Sequence, residues 1–208
     1  MKVMEDVPYV KGLDKFLGTE LTDEVISYLK DFGAATASNG AVGLYHIENL
    51  TPEAKKFKEK IIQTDAKVYV IDDEELERVY KNYPVMWKNA SAKPSLCFIG
   101  CPHLTFYQLN QWTEKIEENL KLSGKRKVCI RTVMTSAPDV VEKFKETENY
   151  LKLKKFGVNI SSICPLMYTN NPIAGSKPII TNSNKLRTYS KARYYKDDEI
   201  VKIICGVK

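Results

Sequence analysis

Two segments of this sequence end alike. Phe98-Ile99-Gly100-Cys101-Pro102-His103 and Ser161-Ser162-Ile163-Cys164-Pro165 each close an apolar run with a cysteine and a proline. Both runs read as buried strands, so each thiol sits where the chain must turn and faces the crevice at the strand's end. Proline fixes φ and removes a backbone donor, which stiffens the turn. A helix opening after Cys101 would aim its amide dipoles at the sulfur and favour thiolate, the form that iron–sulfur clusters bind. The alternative is a pair of buried structural cysteines, because one Cys-Pro pair is a weak signal. Cys97, Cys129 and Cys205 fall inside strand patterns and read as small apolar core residues. Five cysteines at wide spacing do not suggest a disulfide framework.

His46 and His103 are the only histidines. Both fall at predicted C-terminal strand ends, where neutral imidazole can shuttle a proton or hold a substrate; a structural role is the competing reading. Thr181-Asn182-Ser183-Asn184-Lys185 places hydroxyl, amide and ammonium groups at a strand-to-helix junction, which suits a carboxylate or phosphate. A capped helix with a surface lysine explains the same residues. Ser38-Asn39-Gly40 reads as a flexible polar turn that could approach a ligand's oxygens. No Walker loop, dinucleotide fingerprint or zinc-type Cys-x-x-Cys pair occurs.

These residues need a scaffold, and the pattern supplies alternating strands and helices. Helices are expected over 22–32, 52–63, 73–80, 105–122 and 139–156, with another opening at 183. Strands are expected over 41–47, 66–71, 95–100, 127–134, 158–163, 178–181 and 200–205. Thr51 and Pro52 form a good helix start. Residues 66–71 are almost continuously apolar, as in a parallel strand buried on both faces. The expected fold is α/β, a mostly parallel sheet flanked by helices, with two lobes meeting near 83–93. In such sheets ligands bind at the C-terminal strand ends.

With 208 residues and 43% hydrophobic content, the chain can build a sizeable core. No run of about 18 apolar residues suggests a membrane span, and the first residues do not look like a secretory signal. The expected location is the cytoplasm. The net charge of +6 is dispersed and interleaved with acids, which speaks against nucleic acid as a partner and suits a small anionic substrate.

Several stretches, in order along nearly the whole chain, resemble those of the aconitase X family. They are Gly33–His46, Leu50-Thr51-Pro52-Glu53-Ala54, Ile99-Gly100-Cys101-Pro102-His103, Ile163-Cys164-Pro165, and Thr181-Asn182-Ser183-Asn184-Lys185 with Tyr189. The resemblance covers the C-terminal half of the family's catalytic large subunit and implies an aconitase-like fold. It also implies an iron–sulfur hydro-lyase that dehydrates small hydroxy acids such as phosphomevalonate or hydroxyproline. Cys101 and Cys164 would be two of three cysteine ligands to the cluster. Ser38, His46, Thr51, Ser183 and Lys185 would bind substrate, and His103, Ser183 and Lys185 are the catalytic candidates. Ser162, Ile163 and Leu186-Arg187-Thr188 depart from the family pattern. No counterpart is found to the N-terminal half with its further cysteine, nor to the small swivelling domain. Those parts are therefore the expected partners, and the isolated chain is expected to retain no cluster. A non-catalytic module that binds small acids is the alternative.

Overall fold

The computed structural model describes residues 6–207. Contacts divide the chain after Pro84 into two compact units.

The first unit is largely helical. It contains β1 (Tyr9–Val10), α1 (Asp14–Leu17), α2 (Asp23–Gly40), β2 (His46–Ile47), α3 (Pro52–Phe57), a 3₁₀ turn (Lys58–Ile61) and α4 (Asp73–Lys81). β1 and β2 pair in parallel, Tyr9 opposite His46. Val25, Ile47 and Leu50 form the small core, with Tyr45 and Leu29 packed against it. Thr22 caps α2 by accepting from the Val25 amide, and Asp72 caps α4 through the Glu75 amide.

Three expectations for this unit change. Helix α2 runs through Ser38 to Gly40, so the polar turn is helix. Ala34, Ala35 and Ala37 are strong helix formers and outweigh the polar end. The expected strand over 41–47 shrinks to His46–Ile47. Residues 66–71 form no strand: among the described residues they have no ladder partner, and they are exposed. An apolar run can become a strand only where a sheet edge is available to pair it.

The second unit contains β3 (Leu96–Leu104), α5 (Phe106–Ser123), β4 (Arg131–Ser136), α6 (Pro138–Lys145), α7 (Glu148–Phe156) and β5 (Val158–Ser161). It continues with α8 (Pro165–Thr169), α9 (Pro172–Gly175), β6 (Ile179–Thr181), α10 (Asn184–Tyr189), β7 (Arg193–Tyr194) and α11 (Asp197–Cys205). Its five strands lie in the order β5-β4-β3-β6-β7 and all pair in parallel. The chain therefore starts at the centre, winds outward through β4 and β5, and crosses back to the other side of β3. That is a doubly wound order, and β3 and β6 flank its switch point.

Alternation along the strands sorts the core into two layers. Cys97, Ile99, Met134 and Ile180 pack with α5, α7 and α11. Leu96, Phe98, Val133 and Ile179 pack with Leu186 of α10 and with Leu166 and Tyr168 of α8. Helices thus cover both faces, as parallel sheets require.

Here too the sequence reading needs correction. Residues 200–205 belong to a helix, because Ile200, Val201, Ile204 and Cys205 are its buried stripe. The expected helix over 139–156 is two: Thr147 accepts from the Tyr150 amide and starts α7 anew. Cys129 lies outside the strands and is exposed, with Lys125 Nζ 3.0 Å from its sulfur. β7, α8 and α9 were not anticipated. Among the described residues, no helix is long and apolar enough to cross a membrane.

Candidate functional site

At the C-terminal end of β3 the ladder with β4 breaks. Ile99 stands opposite Met134 and Leu104 opposite Ser136. Four residues, Gly100 to His103, therefore face the single residue Thr135 across the gap. A bulge of this kind bends the strand and re-aims its side chains. Gly100 makes it possible: its φ is +105°, and a Cβ there would collide with the Thr135 carbonyl.

The bulge decides where Cys101 goes. On a regular strand, residues four apart share a face. Cys97 packs in the layer under α5, whereas Cys101 packs with Leu96 and Phe98 in the layer under α8 and α10. Gly100 has switched the alternation. The Cys101–Pro102 peptide is cis.

Three buried hydroxyls, two on β4 and one at the N-cap of α10, hold the bulge. Thr135 Oγ1 donates to the Gly100 carbonyl, and Ser136 Oγ donates to the Leu104 carbonyl at 2.5 Å. From the other side, Ser183 Oγ donates to the Cys101 carbonyl and accepts from the Leu186 amide at 2.9 Å, capping α10. The serine proton is thus committed to the cysteine's own backbone.

Cys164 follows β5 and is the N-cap residue of α8. Leu166 and Tyr168 of that helix pack on the layer containing Cys101, with the Phe98 and Tyr168 rings 5.7 Å apart. Cys101 therefore lies in the bulge of β3, in the layer that α8 covers, and Cys164 lies after β5, where α8 begins. Only β4 separates β3 from β5, an interval of about 10 Å. Cys101 is buried and Cys164 exposed. The helix expected directly after Cys101 is not there: Pro102 to Leu104 continue β3, and α5 starts at Phe106 with Thr105 in a capping box. The helix that follows a cysteine directly is α8, at Cys164.

His103 is half-buried within the bulge. Lys185 is half-buried in the first turn of α10, and its ammonium has no hydrogen-bonding or ionic partner among the described residues. Cys101, His103, Cys164, Ser183 and Lys185 thus gather at the C-terminal edge of one sheet.

Ser38, His46 and Thr51 belong to the first unit. Ser38 Oγ donates to the Ala35 carbonyl at 3.1 Å. Thr51 Oγ1 accepts from the Ile47 amide at 3.0 Å and donates to the Ile47 carbonyl at 3.2 Å, closing the turn after β2. His46 Nδ1 is buried without a hydrogen bond and lies 4.0 Å from the Glu53 carboxylate.

Burial pushes the Cys97 thiol well above its usual range and raises Cys205 to about 12. Both remain neutral core thiols. Among the described residues, no group of three or more His, Cys, Asp or Glu side chains is placed to hold a metal.

Sequence reasoning missed Thr135 and Ser136. Their signal was the hydroxyl pair directly before Ala137-Pro138, at the end of an apolar strand. It also missed an open hollow of about 570 Å³ in the second unit, whose lining includes Lys88, Asn171, Thr188, Tyr189 and Lys191.

A five-stranded, doubly wound parallel sheet flanked by helices defines an α/β domain of the kind whose ligands bind at the switch point. Residues 1–81 match the family model for the second domain of aconitase X, and residues 94–202 match the model for its third domain. The chain belongs to the aconitase X family. It is 27% identical over 189 residues to the phosphomevalonate dehydratase large subunit of Methanocaldococcus jannaschii, covering 90% of this chain and 42% of that protein. The protein of the same name from Methanosarcina mazei is 28% identical over 163 residues, covering 77% of this chain and 35% of that one. The crystal structure of Thermococcus kodakaraensis aconitase X in its holo-form superposes with a TM-score of 0.71 at 24% identity. It covers 96% of this chain and 47% of that chain, and it supports the likeness of fold. This chain spans less than half the length of these relatives.

Proposed function

We propose that the chain is the part of an aconitase X hydro-lyase that supplies two cysteine ligands and part of the substrate pocket. The substrate is a small, anionic hydroxy acid. The observation that supports this is that Cys101 packs in the layer covered by α8 and that Cys164 is the residue from which α8 starts. The relatives named above are dehydratase subunits, which supports the reaction class.

The donors present fit an iron–sulfur cluster in part. Two cysteines are available, Cys101 in the bulge of β3 and Cys164 at the start of α8, and thiolate is the cluster's ligand. The remaining ligand and the residues that complete the pocket come from the family's other half and its small swivelling domain. A bound cluster would supply a Lewis-acidic iron to a substrate hydroxyl. The chain's own residues do the rest. Ser183 fixes the backbone of Cys101. Lys185 brings a cation without a competing acid to the same edge. His103 brings an imidazole to the same edge. The five free thiols suit a reducing compartment, the cytoplasm.

Anaerobic reconstitution with iron and sulfide tests this reading. With the large-subunit remainder and small domain present, iron should bind and be lost in Cys101→Ser and in Cys164→Ser. The chain by itself should release its iron on desalting and dehydrate nothing. Full iron retention by the double variant Cys101→Ser/Cys164→Ser would falsify the ligand assignment. Citrate or phosphate affinity that is unchanged in Lys185→Met would remove that lysine from the pocket.

A further inference from the structure

Residues Val68-Tyr69-Val70-Ile71 are four consecutive large apolar residues, and all are exposed: Val68 91%, Tyr69 52%, Val70 73%, Ile71 63%. In an extended chain, Val68 and Val70 point one way and Tyr69 and Ile71 the other. Both faces are therefore apolar. That is the composition of a strand covered on both sides, whereas an edge strand facing water alternates with polar residues. Residues 67–71 also make no backbone hydrogen bond among the described residues. A row of free amides and carbonyls flanked by β-branched side chains is a template for strand pairing.

The segment's C-terminal end is anchored. Tyr69 Oη donates to Glu75 Oε1 at 2.5 Å, and Arg78 donates twice to the same carboxylate, at 2.6 Å each. Asp72, the next residue after the segment, caps α4. The segment is thus presented in a fixed place with its pairing groups unused.

The relatives are longer than this chain. The matched stretch makes up 42% of the Methanocaldococcus jannaschii protein and 47% of the Thermococcus kodakaraensis chain, and it corresponds to second and third domains. More than half of each relative therefore lies outside the match. We propose that Val68–Ile71 is a strand of a sheet completed by that remaining part of the aconitase X protein, added onto an open edge with apolar cover on both faces. This rests on the reading that the chain works together with that part.

Hydrogen exchange on two intact proteins tests it. In this 208-residue chain, amides 68–71 should exchange at near-unprotected rates. In the intact Methanocaldococcus jannaschii large subunit, the aligned amides should exchange at least 100-fold slower. The lysine variants Val68→Lys and Val70→Lys should leave this chain's fold unchanged. Strong protection in this chain at all concentrations overturns the proposal, because the chain then covers the segment itself. Protection that grows with concentration and vanishes in Val70→Lys overturns it in favour of a second copy. Rapid exchange of the aligned amides in the intact relative overturns it as well. Iron content is not part of this readout, so failure of the cluster assignment leaves it untouched.

Discussion

Two segments of this chain are hard to tell apart on paper. Ala66–Ile71 and Leu96–Gly100 are both short apolar runs rich in β-strand formers. The second is the central strand of a five-stranded sheet, with Cys97, Phe98 and Ile99 almost fully buried. The first has no strand beside it among the described residues and lies open. The difference is in the neighbours. β3 has β4 and β6 on its edges and helices on both faces, whereas the other run has only α4 following it. Composition shows what a segment can do, and the presence of partners determines whether it does it.

The contrast can be tested by substitution. The largest effect is expected for Phe98→Ala, at about 3–5 kcal/mol, because a large buried ring leaves a cavity in the central strand. Both tryptophans, Trp87 and Trp112, lie in the second unit, so denaturant titration followed by tryptophan fluorescence reads this loss directly. Gly100→Ala comes next, at about 1–3 kcal/mol, since the residue must keep a positive φ against the Thr135 carbonyl. A stability unchanged by this substitution would mean that the bulge is not held as described.

β3 also carries a titratable reporter. In the folded chain Cys97 is raised above its ordinary value of 9.0, and Cys205 is raised to about 12. The unfolded chain therefore gives up these protons first as pH rises. Their contribution is intact below about pH 9 and is lost progressively from there toward about pH 12, by up to about 1.4 kcal/mol per pH unit per thiol. Denaturation midpoints measured between pH 8 and 11 should fall, and Cys97→Ala should flatten the fall.

Ser183→Ala should cost about 1 kcal/mol by removing the cap of α10. It should also speed alkylation of Cys101 by freeing its backbone, whereas Ser183→Thr should preserve the slow rate. The smallest effect is expected in the exposed run: Val70→Ala should change stability by under about 0.5 kcal/mol. A loss as large as that of Phe98→Ala would abolish the contrast.

The second unit was the more legible from sequence. Apolar runs ending at Gly100, Ile163 and Thr181 located three of its strands, because each is bounded by turn residues; the middle one stops at Ser161 in the structure. Thr105 and Gln108 marked the start of α5. The run Ile200–Cys205 misled because its β-branched residues suit either period. Asp197, Asp198 and Glu199 in the first turn were the sign of helix. At the site, residue types pointed to Cys101 and Cys164, but the placing of Cys101 in the layer under α8, whose first turn follows Cys164, did not follow from the sequence. It depends on Gly100 switching the alternation and on β5 lying two strands from β3, and sequence spacing encodes neither.

The strand order also has a consequence for synthesis. β3 is made first but pairs on one side with β6, and Ile179 opposite Leu96 comes 83 residues later. At about 5–20 residues per second, one edge of the central strand is bare for roughly 4–17 s on the ribosome. β4 arrives sooner and closes only the other edge. During that interval the nascent chain presents an unpaired apolar strand, and newborn copies on one polysome present it to each other. Expression at lower temperature or with abundant holdase chaperones is therefore expected to change the yield of folded protein more than its stability once folded.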